Sequence, residues 1–280
     1  MVGLILFDLG AFDWTARSLA SVAKSGTNHL DRDMSLQGAA NFLKSQPGPF
    51  RLQVLSEPQP NIGDLFAVSS IAGAGVTLPT DFVRIMGNRD LLNARYLVRL
   101  ASAGEPGAIY QDSAWKIYEN PASLPRAWIV HNVMATDYAG NQLPQFDPTR
   151  TALVDKASNL KLDPAAADEH ETVSFSRFEA NQLEVSVHAQ SRGLLVLSET
   201  FYPGWHAKVR GKSEAIYQVD GDLRGVPVPA GDSQIVLTYA PMSVYAGGSL
   251  SLLAFIGTLY CWRRSRRAPA SVTGSNAAPK

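Results

Sequence analysis

Five histidines, His29, His131, His170, His188 and His206, are the first candidates for acid–base or metal chemistry in this chain. No two stand at the spacing of metal ligands. His188 and His206 alternate with apolar residues, which puts them on the polar faces of predicted strands. The set therefore reads as solvated surface histidine. Asp31-Arg32-Asp33 places two carboxylates two residues apart, a pattern that can chelate a divalent cation. Solvated turns carry such triplets far more often, and a turn is the plainer reading. Gly73-Ala74-Gly75 lacks the third glycine and following helix of a dinucleotide loop, and no GxSxG nucleophile elbow is present. From these residues we expect no catalytic residue, no metal and no cofactor.

Aromatic rings are a second kind of candidate, because an exposed ring face packs on the apolar face of a sugar. Trp128, Tyr202, Trp205 and Tyr217 are the possible contacts for a carbohydrate or a partner. Tyr202-Pro203-Gly204 reads as a tight turn that presents Glu199 and Tyr202 to solvent. Trp205 and Tyr217 lie on the apolar sides of their strands, so a core role competes with a binding role.

The elements that would carry these side chains change character along the chain. Residues 15–108 read as mixed α/β. Leu36, Ala40 and Leu43 share one side of a predicted helix over 36–44, closed by Pro47 and Pro49. Arg51 to Leu55 and Ala94 to Leu100 read as strands, and 81–86 and 89–93 as short helices. From about Ile109 the apolar period becomes two. Strands are predicted at 115–118, 127–130, 172–178, 183–189, 194–197, 205–210, 215–219, 226–228 and 235–239. Glycine turns at Gly204, Gly211, Gly221 and Gly231 separate the later ones. Residues 141–170 read as a loop with one helical turn at 151–156. This rhythm predicts an antiparallel β-sandwich over 109–241.

The end of the chain is different again. No charged residue occurs from Ser233 to Trp262. Val244 to Trp262 would make roughly 28 Å of helix, close to the hydrocarbon thickness of a bilayer. Tyr245 near one end, and Tyr260 and Trp262 at the other, stand where interfacial aromatics stand. Arg263, Arg264, Arg266 and Arg267 follow. By the positive-inside rule, 242–262 is a transmembrane helix, 263–280 a basic cytoplasmic tail, and the residues before Pro241 extracytoplasmic.

The chain is formally neutral, with 25 basic and 25 acidic residues. The five basic residues beyond Trp262 account for the balance, leaving 20 against 25 in the rest. A body of that charge is a poor partner for nucleic acid. Cys261 is the only cysteine, so no intrachain disulfide can form and an exported domain relies on its core. Residues 1–14 are apolar but interrupted by Asp8 and Asp13. They lack the basic start and cleavage site of a signal peptide, and read as a possible remnant of a transmembrane helix.

Several phrases taken together go further. SETFYPGWHAKVRGKSEAIYQVDGDLRGVPVPAGDSQIVLTYAP, Ser198 to Pro241, leads directly into the apolar helix. It resembles the C-terminal end of the bacterial YfhO family, through Tyr202 to Trp205, Gly211, Val226 to Gly231 and Tyr239 to Pro241. NPASLPRAWIVH (Asn120 to His131) and LLNARYLVR (Leu91 to Arg99) resemble further segments of it. The resemblance implies a large multi-pass membrane protein related to the GT-C glycosyltransferases, with a β-rich extracytoplasmic domain before a last transmembrane helix. It implies sugar transfer from a polyprenyl-phosphate donor onto a cell-envelope polymer, in the bacterial plasma (inner) membrane. The catalytic carboxylates of that fold sit between early membrane helices that this sequence lacks. The expectation is thus a fragment that is catalytically incomplete by itself. Its partners would be the membrane and either envelope polysaccharide or a multi-pass glycosyltransferase subunit. A membrane-anchored carbohydrate- or protein-binding module is the alternative. A soluble hydrolase is a third reading, opposed by the lack of any clustered Ser/His/Asp pattern.

Overall fold

The structure is a computed structural model that describes residues 34–55, 62–71, 79–138, 142–158, 160, 162 and 170–265. The Asp31-Arg32-Asp33 triplet, His29, residues 1–14 and the tail beyond Ser265 lie outside the described residues.

The chain divides into two compact units, residues 1–126 with 140–143, and residues 127–139 with 144–280. In the first, helix α1 (Gln37–Lys44) forms where the apolar spacing predicts it and buries Leu36, Ala39, Ala40 and Leu43. Strands β1 (Arg51–Val54), β2 (Ala94–Leu100), β3 (Tyr110–Gln111) and β4 (Trp115–Glu119) make a sheet of order β1-β2-β4-β3. Alternate residues of β2 and β4, among them Tyr96, Val98, Trp115 and Ile117, meet the helix in one core. Trp115 Nε1 donates to Ser35 Oγ at 2.8 Å, which satisfies its buried indole. The period-two strands from 110 to 119 thus join the sheet of β2, β4 beside it and β3 beyond, rather than the later strands. A short helix α2 (Ile62–Phe66) also belongs to this unit. The predicted helix over 81–86 shrinks to a 3-10 turn, Phe82–Arg84. That predicted over 89–93 is a series of turns, ending at Asn93 with φ +59°, which no right-handed helix accommodates.

The second unit holds two sheets. One is six-stranded: β5 (Ala127–Val130), β6 (Asn132–Thr136), β7 (Thr151–Asp155), β10 (Gly193–Thr200), β13 (Tyr217–Val219) and β14 (Leu223–Val228) lie in the order β5-β10-β14-β13-β7-β6. The other is five-stranded: β8 (Thr172–Glu179), β9 (Gln182–Ala189), β11 (Trp205–Val209), β12 (Lys212–Glu214) and β15 (Gly231–Tyr239) lie in the order β12-β11-β15-β9-β8. Here Thr151 to Asp155 corrects the expected helical turn. Ala152, Leu153 and Val154 are buried, and β7 is hydrogen-bonded on both sides, parallel to β6 and antiparallel to β13. Among the described strands of this unit β6–β7 is the parallel pair.

The core of the unit takes residues from both sheets: Ala127, Ile129, Leu195, Leu197, Val226 and Val228 from one, and Leu183, Val185, Val187, Ala207, Val209, Ile235 and Leu237 from the other. The alternation along β9 supplies this directly, because Leu183, Val185, Val187 and Ala189 are buried while the residues between them are half-exposed. β10 is buried on both faces from Gly193 to Ser198, as its unbroken apolar run predicts. The chain is therefore mainly β, with few helices.

β15 ends at Tyr239, and helix α3 (Met242–Ser265) begins three residues later. Met242–Arg264 is long and apolar enough to cross a membrane, and none of it is buried against the rest of the molecule. Leu250, Leu253, Phe255 and Ile256 all face outward, which a core helix of a soluble protein would not allow. Arg263 and Arg264 occupy the last turn, where they also complement the negative end of the helix dipole.

Candidate functional site

Register brings two of the four predicted aromatics, Tyr202 and Trp205, together at one end of the five-stranded sheet. Trp205 opens β11 and pairs with Tyr239, the last residue of β15. Their rings lie 5.5 Å apart between centroids, and the Tyr202 ring lies 6.4 Å from that of Tyr239. The guanidinium of Arg224, from β14 in the other sheet, sits 3.9 Å from the Trp205 centroid. Arg224 Nε also donates to the Thr200 carbonyl at 2.8 Å. Trp205 thus has its indole against the shared core and a cation over its ring. Tyr202, at 54% exposure, is the open ring of the group.

The turn that delivers Tyr202 depends on a glycine. Gly204 has φ +102°, and a Cβ there would lie 2.9 Å from Pro241 Cβ. Its carbonyl accepts the Ala240 amide at 2.7 Å, so the turn is bonded to the residues between β15 and α3.

The other sequence candidates go elsewhere. Trp128 is buried in β5, and its Nε1 donates to the Pro148 carbonyl at 2.7 Å, so it presents no ring face to a ligand. Glu199 is half-buried near the end of β10 and Tyr217 half-buried in β13. Arg224 and Tyr239 complete the cluster, and sequence reasoning did not single them out. The apolar–polar alternation of β15 does point Tyr239 to the side of Leu237 and Ile235, but nothing local to Arg224 foretells its place on Trp205.

The structure also assembles a group that no spacing in the sequence suggests. His131, just after β5, is 1% exposed, which corrects its reading as a solvated histidine. Its Nε2 lies 2.9 and 3.0 Å from the two carboxylate oxygens of Glu171, just before β8. Its Nδ1 lies 3.1 Å from both the Arg192 carbonyl and Ser191 Oγ. Serine, histidine and carboxylate in contact have the membership of a nucleophilic triad. Against a catalytic role, the imidazole is 1% exposed and its Nδ1 is shared between the Ser191 hydroxyl and the Arg192 carbonyl. The pair instead links the six-stranded sheet to the five-stranded one. Gly193 makes room for it, since a Cβ there would lie 3.0 Å from the imidazole Cε1.

On the outer face of the five-stranded sheet, two adjacent rungs carry small polar side chains. Thr172, His188 and Asp232 form one, and Ser174, Ser186 and Gln234 the next. His188 Nδ1 and Asp232 Oδ1 are 2.6 Å apart, and Ser186 Oγ donates to Gln234 Oε1 at 2.8 Å. The short side chains leave an open groove of about 380 Å³. Among the described residues no three His, Cys, Asp or Glu side chains converge on a metal position.

One buried carboxyl stands apart. Asp220, in the β13–β14 turn with φ +50°, accepts the Leu153 amide on Oδ1 at 2.7 Å, while Oδ2 is buried with no hydrogen-bond partner among the described residues. Burial pushes its pKa up to about 7 against the opposing pull of that one hydrogen bond.

Comparison with known proteins bears on the same stretch of chain. Residues 155–251 match the family model of bacterial membrane protein YfhO. The uncharacterized protein YfhO of Bacillus subtilis (strain 168) is 28% identical over 92 residues, 33% of this chain and 10% of that protein. The chain thus spans a small part of the length of the relative it matches. Among solved structures, arabinofuranosyltransferase AftD from Mycobacteria aligns at 24% identity over 39% of this chain and 9% of that one. Two structures of a mutant form align at 26% over the same shares. The TM-score of 0.28 is too low to support an argument from that likeness. The matched segment holds the whole five-stranded sheet and the start of the apolar helix, and over that segment the chain is similar to the YfhO family of bacterial membrane proteins.

Proposed function

We propose that this chain is the extracytoplasmic β-domain and anchor of a YfhO-like membrane protein that works in cell-envelope glycosylation. The observation that carries this reading is the YfhO match over 155–251, which runs without a break from the β-domain into the apolar helix. The β-domain is a sandwich in this reading, with its polar face outside the membrane and the arginines after Trp262 on the cytoplasmic side, in line with the positive-inside rule. Sugar transfer itself falls to membrane-embedded carboxylates beyond these residues. The β-domain holds acceptor polymer or a multi-pass subunit near them, with Tyr202 and its aromatic neighbours as contacts.

Deletion of the gene, followed by sugar analysis of the purified envelope polysaccharide, tests this. Loss of a glycosyl substituent, restored by the intact gene and not by a Tyr202→Ala, Trp205→Ala double variant of equal abundance, is expected. An unchanged polysaccharide overturns the reading.

The groove over Ser174, Ser186, His188 and Gln234 favours a second reading, an anchored carbohydrate-binding module. Hydroxyl and amide groups in register suit sugar hydroxyls, which need paired donors and acceptors. Saturable binding of envelope polysaccharide by the chain in nanodiscs, lost in Ser186→Leu, with envelope composition unaffected by gene deletion, would favour it.

A further inference from the structure

We propose that the Tyr202–Phe178 end of the five-stranded sheet rests in the headgroup layer of the bilayer, so that the β-domain is seated on the membrane rather than suspended from a free tether.

The first observation is the length of the connection. Tyr239 is the last residue of β15, and α3 starts at Met242. Three residues of extended chain span at most about 11 Å. The headgroup and interfacial layer on one side of a bilayer is roughly 5–8 Å thick. With Met242 at the hydrocarbon boundary, the end of β15 lies inside that layer or within about 6 Å of its outer edge.

The second is that the connection is not free. Ala240 donates to the Gly204 carbonyl at 2.7 Å, and Gly204 packs against Pro241. The Tyr202-Pro203-Gly204 turn is therefore fixed to the two residues that precede the helix. On the other side, Tyr239 donates its amide to the carbonyl of Asn181, in the β8–β9 turn. The helix buries nothing against the β-domain, so it leaves the sheet from this end.

The third is where exposed apolar surface falls. Outside α3, the large hydrophobic side chains left exposed in this unit, among the described residues, are Met134, Phe178 and Tyr202. Two of the three are at the anchor end. Phe178 pairs with Leu183 and hence shares the rung of Leu237, two residues from Tyr239. Tyr202 directly precedes the Trp205–Tyr239 rung. The opposite end of β11, at Val209, lies about 13 Å farther from the anchor, and the hairpin strand beyond it, Lys212–Glu214, is polar throughout. A tyrosine at the depth where a span begins is a side chain an interface selects, since its ring lies in lipid and its hydroxyl among headgroups, and the exposed phenylalanine beside it adds apolar surface at the same depth.

Site-directed spin labelling of the whole chain in nanodiscs of phosphatidylethanolamine and phosphatidylglycerol tests this. In a Cys261→Ala background, nitroxide is placed at Tyr202→Cys, at Phe178→Cys, at Ser213→Cys as the distal control and at Leu253→Cys as the span control. The readout is collision with oxygen against collision with a water-soluble nickel chelate. The expected result is a label at Leu253 deep in hydrocarbon, labels at Tyr202 and Phe178 shielded from nickel at least about threefold more than the one at Ser213, and loss of that difference in detergent-free buffer after proteolytic release of α3. Equal nickel access at Tyr202, Phe178 and Ser213, with Leu253 still in hydrocarbon, overturns the proposal and leaves these rings to a protein partner. A label at Leu253 open to nickel overturns it as well, because the anchor itself then fails.

Discussion

The Arg224 guanidinium lies 3.9 Å from the centroid of the Trp205 ring, joining a side chain of one sheet to a side chain of the other at the end from which the membrane helix departs. Arg224 is 5% exposed. A cation–π contact withdrawn from water is worth roughly 2 kcal/mol, against 0.5–1 kcal/mol at an open surface. A double-mutant cycle with Trp205→Leu and Arg224→Met, read by urea denaturation of the chain in detergent, should give a coupling of about 1–2 kcal/mol. A coupling below about 0.3 kcal/mol would mean the two side chains are merely neighbours.

Gly204 couples the exposed turn to the anchor. At φ +102° with Pro241 and Tyr239 in contact distance, Gly204→Ala meets both backbone strain and a clash. We expect a loss of about 1–3 kcal/mol. Gly211→Ala, at φ +78° but with open space, should cost less, and comparing the two denaturation midpoints separates strain from packing.

Asp220 sets a pH dependence. Its carboxyl is held at about 7 in the folded chain against 3.8 when exposed, so the folded state binds the extra proton between those values. Stability should be greatest near pH 4, fall as pH rises to about 7, and level off above, by on the order of 4 kcal/mol from this group. Asp220→Asn keeps an acceptor for Leu153 and tolerates positive φ. It should flatten the fall between pH 4 and 7. A midpoint profile that keeps the full slope in Asp220→Asn would assign the dependence to other groups.

His131 and Glu171 behave as a structural pair. Glu171→Ala removes the carboxylate from Nε2 of a buried imidazole, and losing one partner of such a pair costs roughly 3–5 kcal/mol. Ser191→Ala should cost under about 1 kcal/mol. A fluorophosphonate probe should leave Ser191 unlabelled, and labelling that disappears in Ser191→Ala would restore the catalytic reading.

Local pattern determined much of this protein. The 3.6 period of Leu36, Ala40 and Leu43, the strict alternation of β9 and the unbroken apolar run of β10 each fix an element and its buried face, because side-chain direction follows backbone period. The uncharged stretch ending in arginines specifies a helix long and apolar enough to cross a membrane for the same local reason. The turn glycines and the phrase from Ser198 to Pro241 were likewise legible. Partners across the sheets were not. Whether β3 and β4 join the first sheet or the later strands depends on which edge is open to them. Whether 151–155 is a helical turn or a strand depends on β6 and β13 waiting on either side. His131 meeting Glu171, and Arg224 covering Trp205, join residues 40 and 19 positions apart in sequence. Such contacts arise from register between strands. Register is set by the packing of the whole core, and no window of sequence contains it.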